Sequence, residues 1–585
     1  MSVSNYLKLA TIGLLFFVLA IYRDKFITIA YVKTESKIPA AIPGTQQLSA
    51  EAEALLRKFL DAAEMPDLHL TNFAGYQKEA KEFYSVVGDT LPWIDQGEPT
   101  SQARAIIRSL RDAGFKGLQP EDYDAPEWEK RLAKFERGPS MPEPELVKFD
   151  LAVTISTMRY ISDLHLGRAN PRTFHAQLDI EESPLDLSEF VRQKLIGATD
   201  VSAVLGSVEP PFPIYRRTED ALRKYIELAK IDDGAQLSVP SQAIKPKDSY
   251  PEVTDLAKLL VLQEDLSPEQ AKASSIEKYE GPIVEGVKHF QMRHGLESNG
   301  VLNAATVKKL NTPSSQRITQ LQLAMERMRW LPHRFQEPPV IVNIPEFRLY
   351  ALNDQYRSIF TMKVVVGRAY GHQTPIFASQ IKSVIFRPYW NVPESIVKAE
   401  LIPHLKKNPS YFSQNDYEIV DRHENVVSEE ADNKEVIAQL IAGKVRVRQM
   451  PGPQNALGLL KFEFPNQYDV YMHGTPAKAL FARTRRDFSH GCIRLEDPVE
   501  LAKWILQDRP EWSEENMRAA MNGDTRVEVK LKEPIPVLIF YSTAVVLDGG
   551  EAHFYDDIYG LDAELEQILA QRKSGASSAE MPNER

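Results

Sequence analysis

The feature that most constrains this chain is a thiol. Cys492 is the one cysteine among 585 residues. It lies in the stretch 471–497, YMHGTPAKALFARTRRDFSHGCIRLED, directly after Ser489, His490 and Gly491. A single cysteine can make no intramolecular disulfide, so no covalent staple organises the fold. The thiol is either an inert buried group or a nucleophile. His473 stands nineteen positions upstream, in His473-Gly474-Thr475. A cysteine attacks as thiolate, and at an ordinary pKa of about 8.5 it needs a base or a positive neighbour. A strand over 468–472 running into His473 and a glycine-containing loop at Cys492 can meet through one excursion over 475–488. Gly491 permits a tight turn in which the N–H groups of 490–492 converge on one point, as an oxyanion requires. The chemistry to expect is acyl transfer through a thioester. His473 and His490 have no carboxylate at ligand spacing, so no metal is expected.

Length and charge bound the rest. At about 150 residues per domain, three or four domains are expected. The net charge of -11 argues against nucleic acid as the main partner. Near-absence of cysteine fits an oxidising compartment. Lys8 precedes an apolar run, Leu9 to Tyr22, which Arg23-Asp24-Lys25 stop. That run is short for a span of about 20 residues and long enough for a signal peptide's apolar region. Apolar character resumes over Phe26 to Val32, and no small-x-small cleavage site follows. Residues 1–32 therefore read as an inner-membrane signal anchor or a cleaved signal peptide, and 33–48 as a linker.

Residues 49–250 carry helical periodicity, with Leu55, Leu56, Phe59 and Leu60 first and further patterns over 101–113 and 145–166. Trp93, Tyr160 and His165 are core or interface residues in this reading. Residues 251–314 form a small unit of three helices. It contains Phe290-Gln291-Met292-Arg293-His294-Gly295-Leu296, then Asn299-Gly300-Val301-Leu302 and Thr306. Gly295 suits a left-handed helix cap, and Asn299-Gly300 a turn. From 315 an amphipathic helix leads, after Pro332, into β character. Strands are expected over 340–345, 347–352, 362–366 and 381–386, and Tyr389 to Pro393 opens a loop. A polar insertion over about 401–445 has the composition of a lid. After the cysteine, Asp497, Pro498 and Glu500 form a capping box. Residues 534–546 are a last apolar strand, and Asp548-Gly549-Gly550 a hairpin turn. Residues 561–585 read as a C-terminal helix and a disordered tail.

Two of these stretches resemble known families. The pattern Phe-Gln-x-Arg-x-Gly-Leu, with its Asn-Gly turn and Thr306, resembles the peptidoglycan-binding module found beside cell-wall enzymes. That family usually has Asp where Asn299 stands. His473 followed by Ser489-His490-Gly491-Cys492 resembles the signature of YkuD-type L,D-transpeptidases, and the order of domains resembles their large YcbB-like type. The implied fold is multidomain α+β: a helical scaffold domain, a three-helix peptidoglycan-binding module, and a mainly-β catalytic domain over 315–560 with an inserted lid.

The resemblance also implies roles. Cys492 would be the nucleophile, His473 the general base and acid, and the Gly474 carbonyl the group orienting His473. His490, Gly491 and Tyr471 would support the site and its oxyanion pocket. Arg494 stands where smaller members have Asn. Arg494, Ser489, Trp390 and Asn391 are candidates for substrate contact. Arg483, Arg485 and Arg486 either bind substrate carboxylates or form a solvated face. The implied activity is 3→3 cross-linking of peptidoglycan stems, with a tetrapeptide donor, a diamino-acid acceptor and release of D-alanine. An L,D-carboxypeptidase, a lipoprotein-anchoring transpeptidase and a non-catalytic wall-binding scaffold are the other readings. Other wall-synthesis proteins are possible partners.

Overall fold

The computed structural model describes residues 48–571, apart from position 89, the segments 137–139, 175–177, 179–184 and 274–276, position 370, and 428–432. The expected anchor over 1–32, nearly all of the linker and the tail from 572 lie outside the described residues. Among the described residues no helix is long and apolar enough to cross a membrane.

The N-terminal part is helical. Its longest helix, Glu143–Leu166, is buried along most of its length. It packs with Ala50–Ala62 and Ser101–Arg111 around a core running from Ala52 to Val208. Trp93 is fully buried there and donates its Nε1–H to the Thr154 hydroxyl. A second core, Leu237 to Leu310, belongs to the three-helix unit. Its helices are Val253–Leu262, Pro282–Arg293 and Ala304–Leu310, with the short Pro268–Lys272 between the first two, which the expected three did not include.

The motif residues of that unit hold its turn together. Gln291 donates to the Val301 carbonyl and the Thr306 hydroxyl, and accepts from the Gly300 N–H. Asn299 accepts from the Val301 N–H, the short-range bond that an Asp at this position would also make. Arg293 reaches out of the unit: it pairs with Asp265 and donates to the Gln263 carbonyl within it, and also donates to the Ala552 carbonyl of the C-terminal hairpin.

The third and largest core organises a nine-stranded sheet. In chain order its strands are β1 (Val340–Asn343), β2 (Arg348–Leu352), β3 (Ser358–Gly367), β4 (Phe377–Phe386), β5 (Leu460–Glu463), β6 (Met472–His473), β7 (Asp487–Ser489), β8 (Ile493–Leu495) and β9 (Val527–Phe540). The spatial order is β7-β3-β8-β6-β5-β4-β9-β1-β2, and β2 also pairs with β3, which closes the sheet on itself. Most neighbours run antiparallel, whereas β6 with β8, β9 with β1 and β7 with β3 are parallel.

Several elements differ from the sequence expectation. The strand expected over 468–472 is only two residues long, because Asn466 folds the chain before it. Its side-chain oxygen accepts from the Tyr468 and Val470 N–H groups, and its amide donates to the Phe464 and Val470 carbonyls. The last apolar stretch is divided: β9 ends at Phe540, and Ala544–Val546 instead pairs with Ala552–Phe554 as a hairpin. Asp497 caps its helix through the Val499 and Glu500 N–H groups, but the Glu500 carboxylate pairs with Lys503 rather than completing a box. Helix Pro213–Ile231 falls in the range read as scaffold, yet Tyr215, Leu222 and Tyr225 join the catalytic-side core against Ser314–Arg329.

The insertion is wider than 401–445. Trp390–Asn391, expected as loop, is a strand paired with Arg446–Gln449, which in turn pairs with Tyr417–Val420. Val392, Leu401, Leu405, Phe412, Leu440 and Val447 give this piece its own core. A polar composition hid that core because few apolar residues suffice for so small a unit.

Arg293 joins the three-helix unit to the hairpin through a buried charge. Arg293→Met should strand Asp265 without its guanidinium and cost about 3–5 kcal/mol. Thermal melting of the full chain checks this, with a marked fall in melting temperature expected.

Candidate active site

The site is built by the alternation of strand residues. In the parallel pair, Met472 lies opposite Ile493 and His473 opposite Arg494. Met472 and Ile493 are fully buried in the core. Their neighbours must then face the other way, since successive side chains point to opposite sides. Tyr471, His473, Cys492 and Arg494 thus share one face. All four line a cleft of about 620 Å³, together with Trp390, Asn391, Glu400, Lys461, Asp469 and His490.

Cys492 is half-buried. Its Sγ–H donates to the Asp469 carbonyl at 3.7 Å. Asp469 is held in a left-handed conformation, φ 52°, by the turn that Asn466 organises. The Tyr471 hydroxyl and main-chain N–H lie against the same sulfur. Burial pushes the thiol pKa up, and the Tyr471 donors, Lys461 and Arg494 pull it back. The Tyr471 phenol is raised by burial and by the facing sulfur, while the Trp390 indole at its hydroxyl opposes the shift. Trp390 and Asn391 therefore enter the site from the first strand of the insertion.

His473 is buried, with Nδ1 held 2.5 Å from the Gly474 carbonyl. Gly458 makes room behind it. A Cβ there would meet the Thr475 nitrogen at 2.7 Å, and its φ of +64° also suits glycine. This close packing brings the Leu457 carbonyl to the imidazole as well. Burial, then the Arg494 guanidinium, holds the imidazole neutral down to about pH 3. Among the described residues no hydrogen bond joins His473 to Cys492. The resting pair is a neutral thiol and a neutral imidazole.

The loop before the cysteine is braced from inside. Ser489 is buried, its hydroxyl donates to the Cys492 carbonyl at 2.5 Å, and the same oxygen accepts from the Gly491 N–H at 3.1 Å. The Ser489 side chain is thus committed to the shape of the loop. Gly491 has φ +118°, a conformation other residues rarely adopt. Its carbonyl accepts from Thr374, whose hydroxyl oxygen also accepts from the Gly367 N–H. The convergence expected of three N–H groups is thereby reduced, because that of Gly491 is already used. Those of His490 and Cys492 make no hydrogen bond among the described residues.

His490 turns toward the insertion. Its Nε2 lies 2.8 Å from Glu400, and its ring packs 4.6 Å from that of His372. Burial lowers its pKa, against the pull of Glu400. Arg494 is half-buried and, among the described residues, its Nε is buried without a partner. The arginine cluster stays out of the cleft. Arg486 donates to the carbonyls of Phe347, Arg483 and Thr484, and Arg485 pairs with Asp487. Arg483 lies over the Phe488 ring.

Sequence reasoning missed Lys461, Asn466, Thr374, His372 and Glu400. Only Asn466 carried a local signal, an Asn after a proline at the start of a turn.

A thiol, an imidazole and a phenol stand on one sheet face beside the insertion, a set of groups that can serve acyl transfer through a thiol. The comparisons narrow the class. Residues 338–529 match the YkuD family model, described as the L,D-transpeptidase catalytic domain, and residues 78–222 match a scaffold domain model. This chain carries a YkuD L,D-transpeptidase catalytic domain. A Haemophilus influenzae protein named "Putative L,D-transpeptidase" is 31% identical over 255 residues, covering 43% of this chain. The match spans 50% of that relative's length. The crystal structure of an L,D-transpeptidase (residues 123–326) from Xylanimonas cellulosilytica matches at 14% identity, covering 52% of this chain and 100% of that one. Its TM-score of 0.16 is too low to support an argument about the fold.

The thiolate is the reactive form, and burial raises the Cys492 pKa. Iodoacetamide alkylation should therefore accelerate with pH through a midpoint above about 8.5. Tyr471→Phe removes a donor to the sulfur and should move that midpoint higher, slowing alkylation several-fold at pH 7. His473 is neutral above about 3, so an inflection near the ordinary histidine value of about 6.5 would contradict this picture.

Proposed function

We propose that the protein is an L,D-transpeptidase of the bacterial cell wall, working in the periplasm on peptidoglycan stems. The observation that carries this reading is the sharing of one sheet face by Tyr471, His473, Cys492 and Arg494 within one cleft. The donor is a tetrapeptide stem. Cys492 attacks the carbonyl between the L-centre of the third residue, a diamino acid, and the terminal D-alanine. In the resting site the proton stays on sulfur, since the neutral imidazole is a weak base there. Attack and proton transfer to His473 are concerted as the carbonyl arrives, with the Gly474 carbonyl fixing the other ring nitrogen.

The tetrahedral oxyanion takes donors from the Tyr471 hydroxyl and the Cys492 N–H. Collapse expels D-alanine, which leaves with the proton from His473. The thioester on Cys492 then meets the side-chain amine of a neighbouring stem. His473 accepts the amine's proton and returns it to sulfur, and the product is a 3→3 cross-link. No metal or cofactor enters these steps. The segment 1–32 would tie the enzyme to the inner membrane. Water as acceptor would make the enzyme an L,D-carboxypeptidase, and a lysine of an envelope lipoprotein would make it an anchoring enzyme. The insertion over the cleft favours a polymeric acceptor by excluding water.

Cys492→Ala should reduce D-alanine release from tetrapeptide stems to under about one-thousandth of the wild-type rate. A carbapenem should add covalently to Cys492, read by peptide mass spectrometry. Retained D-alanine release by Cys492→Ala, or an adduct at another residue, would sink the assignment. Muropeptide analysis of cell walls with and without the active protein distinguishes the acceptors.

A further inference from the structure

Lys461 is among the charged residues at the site that have no part in the steps above. Lys461 lies on β5 directly opposite His473 on β6, and His473 lies directly opposite Arg494 on β8. A cation, an imidazole and a second cation thus stand in one cross-strand row, roughly 5 Å apart from strand to strand. The Lys461 ammonium sits 4.3 Å from the centre of the Tyr471 ring. Its side chain is only 17% exposed. Three hollows meet at it: the catalytic cleft, a neighbouring one of about 710 Å³ that shares Asp469, Val470 and Tyr471, and a smaller one of about 260 Å³ beside Tyr389 and Asn391.

A mostly buried ammonium needs a partner of opposite sign. The partner present is Glu463, 2.9 Å away on the same strand and 46% exposed. A carboxylate so well solvated contributes little and is easily replaced. The other charges around the junction come from different elements: Asp469 before β6, Lys382 on β4, Glu528 and Lys530 on β9, Arg494 on β8, Glu400, Glu424 and Arg448 in the insertion, and Arg526 before β9. An uncharged side chain of similar length would cover the Tyr471 ring as well. The ammonium's partners are the half-exposed Glu463 carboxylate and the face of the Tyr471 ring, which leave its charge open to a better-placed anion. Its charge also reaches the chemistry, for it helps hold the His473 imidazole unprotonated and the Cys492 thiol less strongly raised.

We propose that Lys461 is a substrate-positioning residue that binds a free carboxylate of the peptide stem at the junction of the clefts, displacing Glu463. This rests on the proposed activity for its substrate class. A carboxylate held there places the rest of the stem across Tyr471 toward Cys492. Lys461 thereby selects acidic stems over amidated ones. The stem offers three carboxylates: that of D-glutamate, the second one of the diamino acid, and the terminal one of D-alanine. They share one chemistry at this site.

The test is calorimetric binding of L-Ala-γ-D-Glu-meso-diaminopimelyl-D-Ala to full-length protein carrying Cys492→Ala, with and without Lys461→Met. Thermal melting verifies that both variants are folded. Lys461→Met should weaken binding about tenfold, and Lys461→Arg should restore most of it. Three further peptides, each amidated at one carboxylate, identify the group bound. The peptide that Lys461→Met leaves unaffected is the one missing that carboxylate. Equal binding to both proteins, or equal weakening of all four peptides, would overturn the proposal. Absence of binding to the Cys492→Ala protein would overturn both this proposal and the substrate reading. Binding by the wild type without D-alanine release would overturn the activity alone.

Discussion

The site depends on one short pairing. Two residues of β6 lie parallel to two of β8, and this places Tyr471 beside Cys492 and His473 beside Arg494. Two residue pairs hold little energy on their own. They persist because both strands are inner members of the closed sheet, with β5 and β3 on their far sides. Met472 and Ile493 anchor them in the core. The Gly474 N–H to Leu460 carbonyl bond extends the β5 edge past His473, and Gly458 lets the two segments close tightly. The long excursion between the strands is fixed by Arg486, whose guanidinium collects carbonyls from its own turn and from the far side of β3.

Arginine plays that part repeatedly. Arg293 joins the three-helix unit to the hairpin through the Ala552 carbonyl. Arg327 reaches Asp562 and the Leu561 carbonyl of the last helix. Arg329 connects helix Ser314–Arg329 to the Tyr215 hydroxyl and to the Lys116 carbonyl of the helical part. Each is nearly or fully buried. A guanidinium carries five donors in a rigid fork, so one side chain satisfies several carbonyls where separate pieces of chain meet. The apolar cores are distinct, and the joins between them are polar and specific.

The sequence announces the elements of this site better than their arrangement. Cys492, His473 and the glycine at 491 are visible because their types and spacing are unusual. Helix Glu143–Leu166 and the strands around 340–386 follow from apolar periodicity. What was hidden depends on contacts distant in sequence. Lys461 is one lysine among many until β5 pairs with β6. Glu400 looks like a solvated helix residue until the insertion folds back on His490. Thr374 is ordinary until it meets the Gly491 carbonyl. The engagement of the Gly491 N–H is hidden for the converse reason, since nothing in the chain order reveals that Ser489 takes it. Trp390–Asn391 reads as loop because a two-residue strand has no period to detect.

The solitary thiol also sets how this protein meets oxidants. If peroxide converts Cys492 to a sulfenic acid, these 585 residues offer no second cysteine to condense with it. The protective step that many redox-sensitive enzymes perform internally must come from an outside thiol. Trp390, on the insertion, lines the cleft in which that thiol would meet the sulfur. If the insertion shields an acyl group on Cys492 from water, as the proposed activity requires, it also slows that repair, and the neutral resting thiol is the defence left, since the thiolate is the form that oxidises readily.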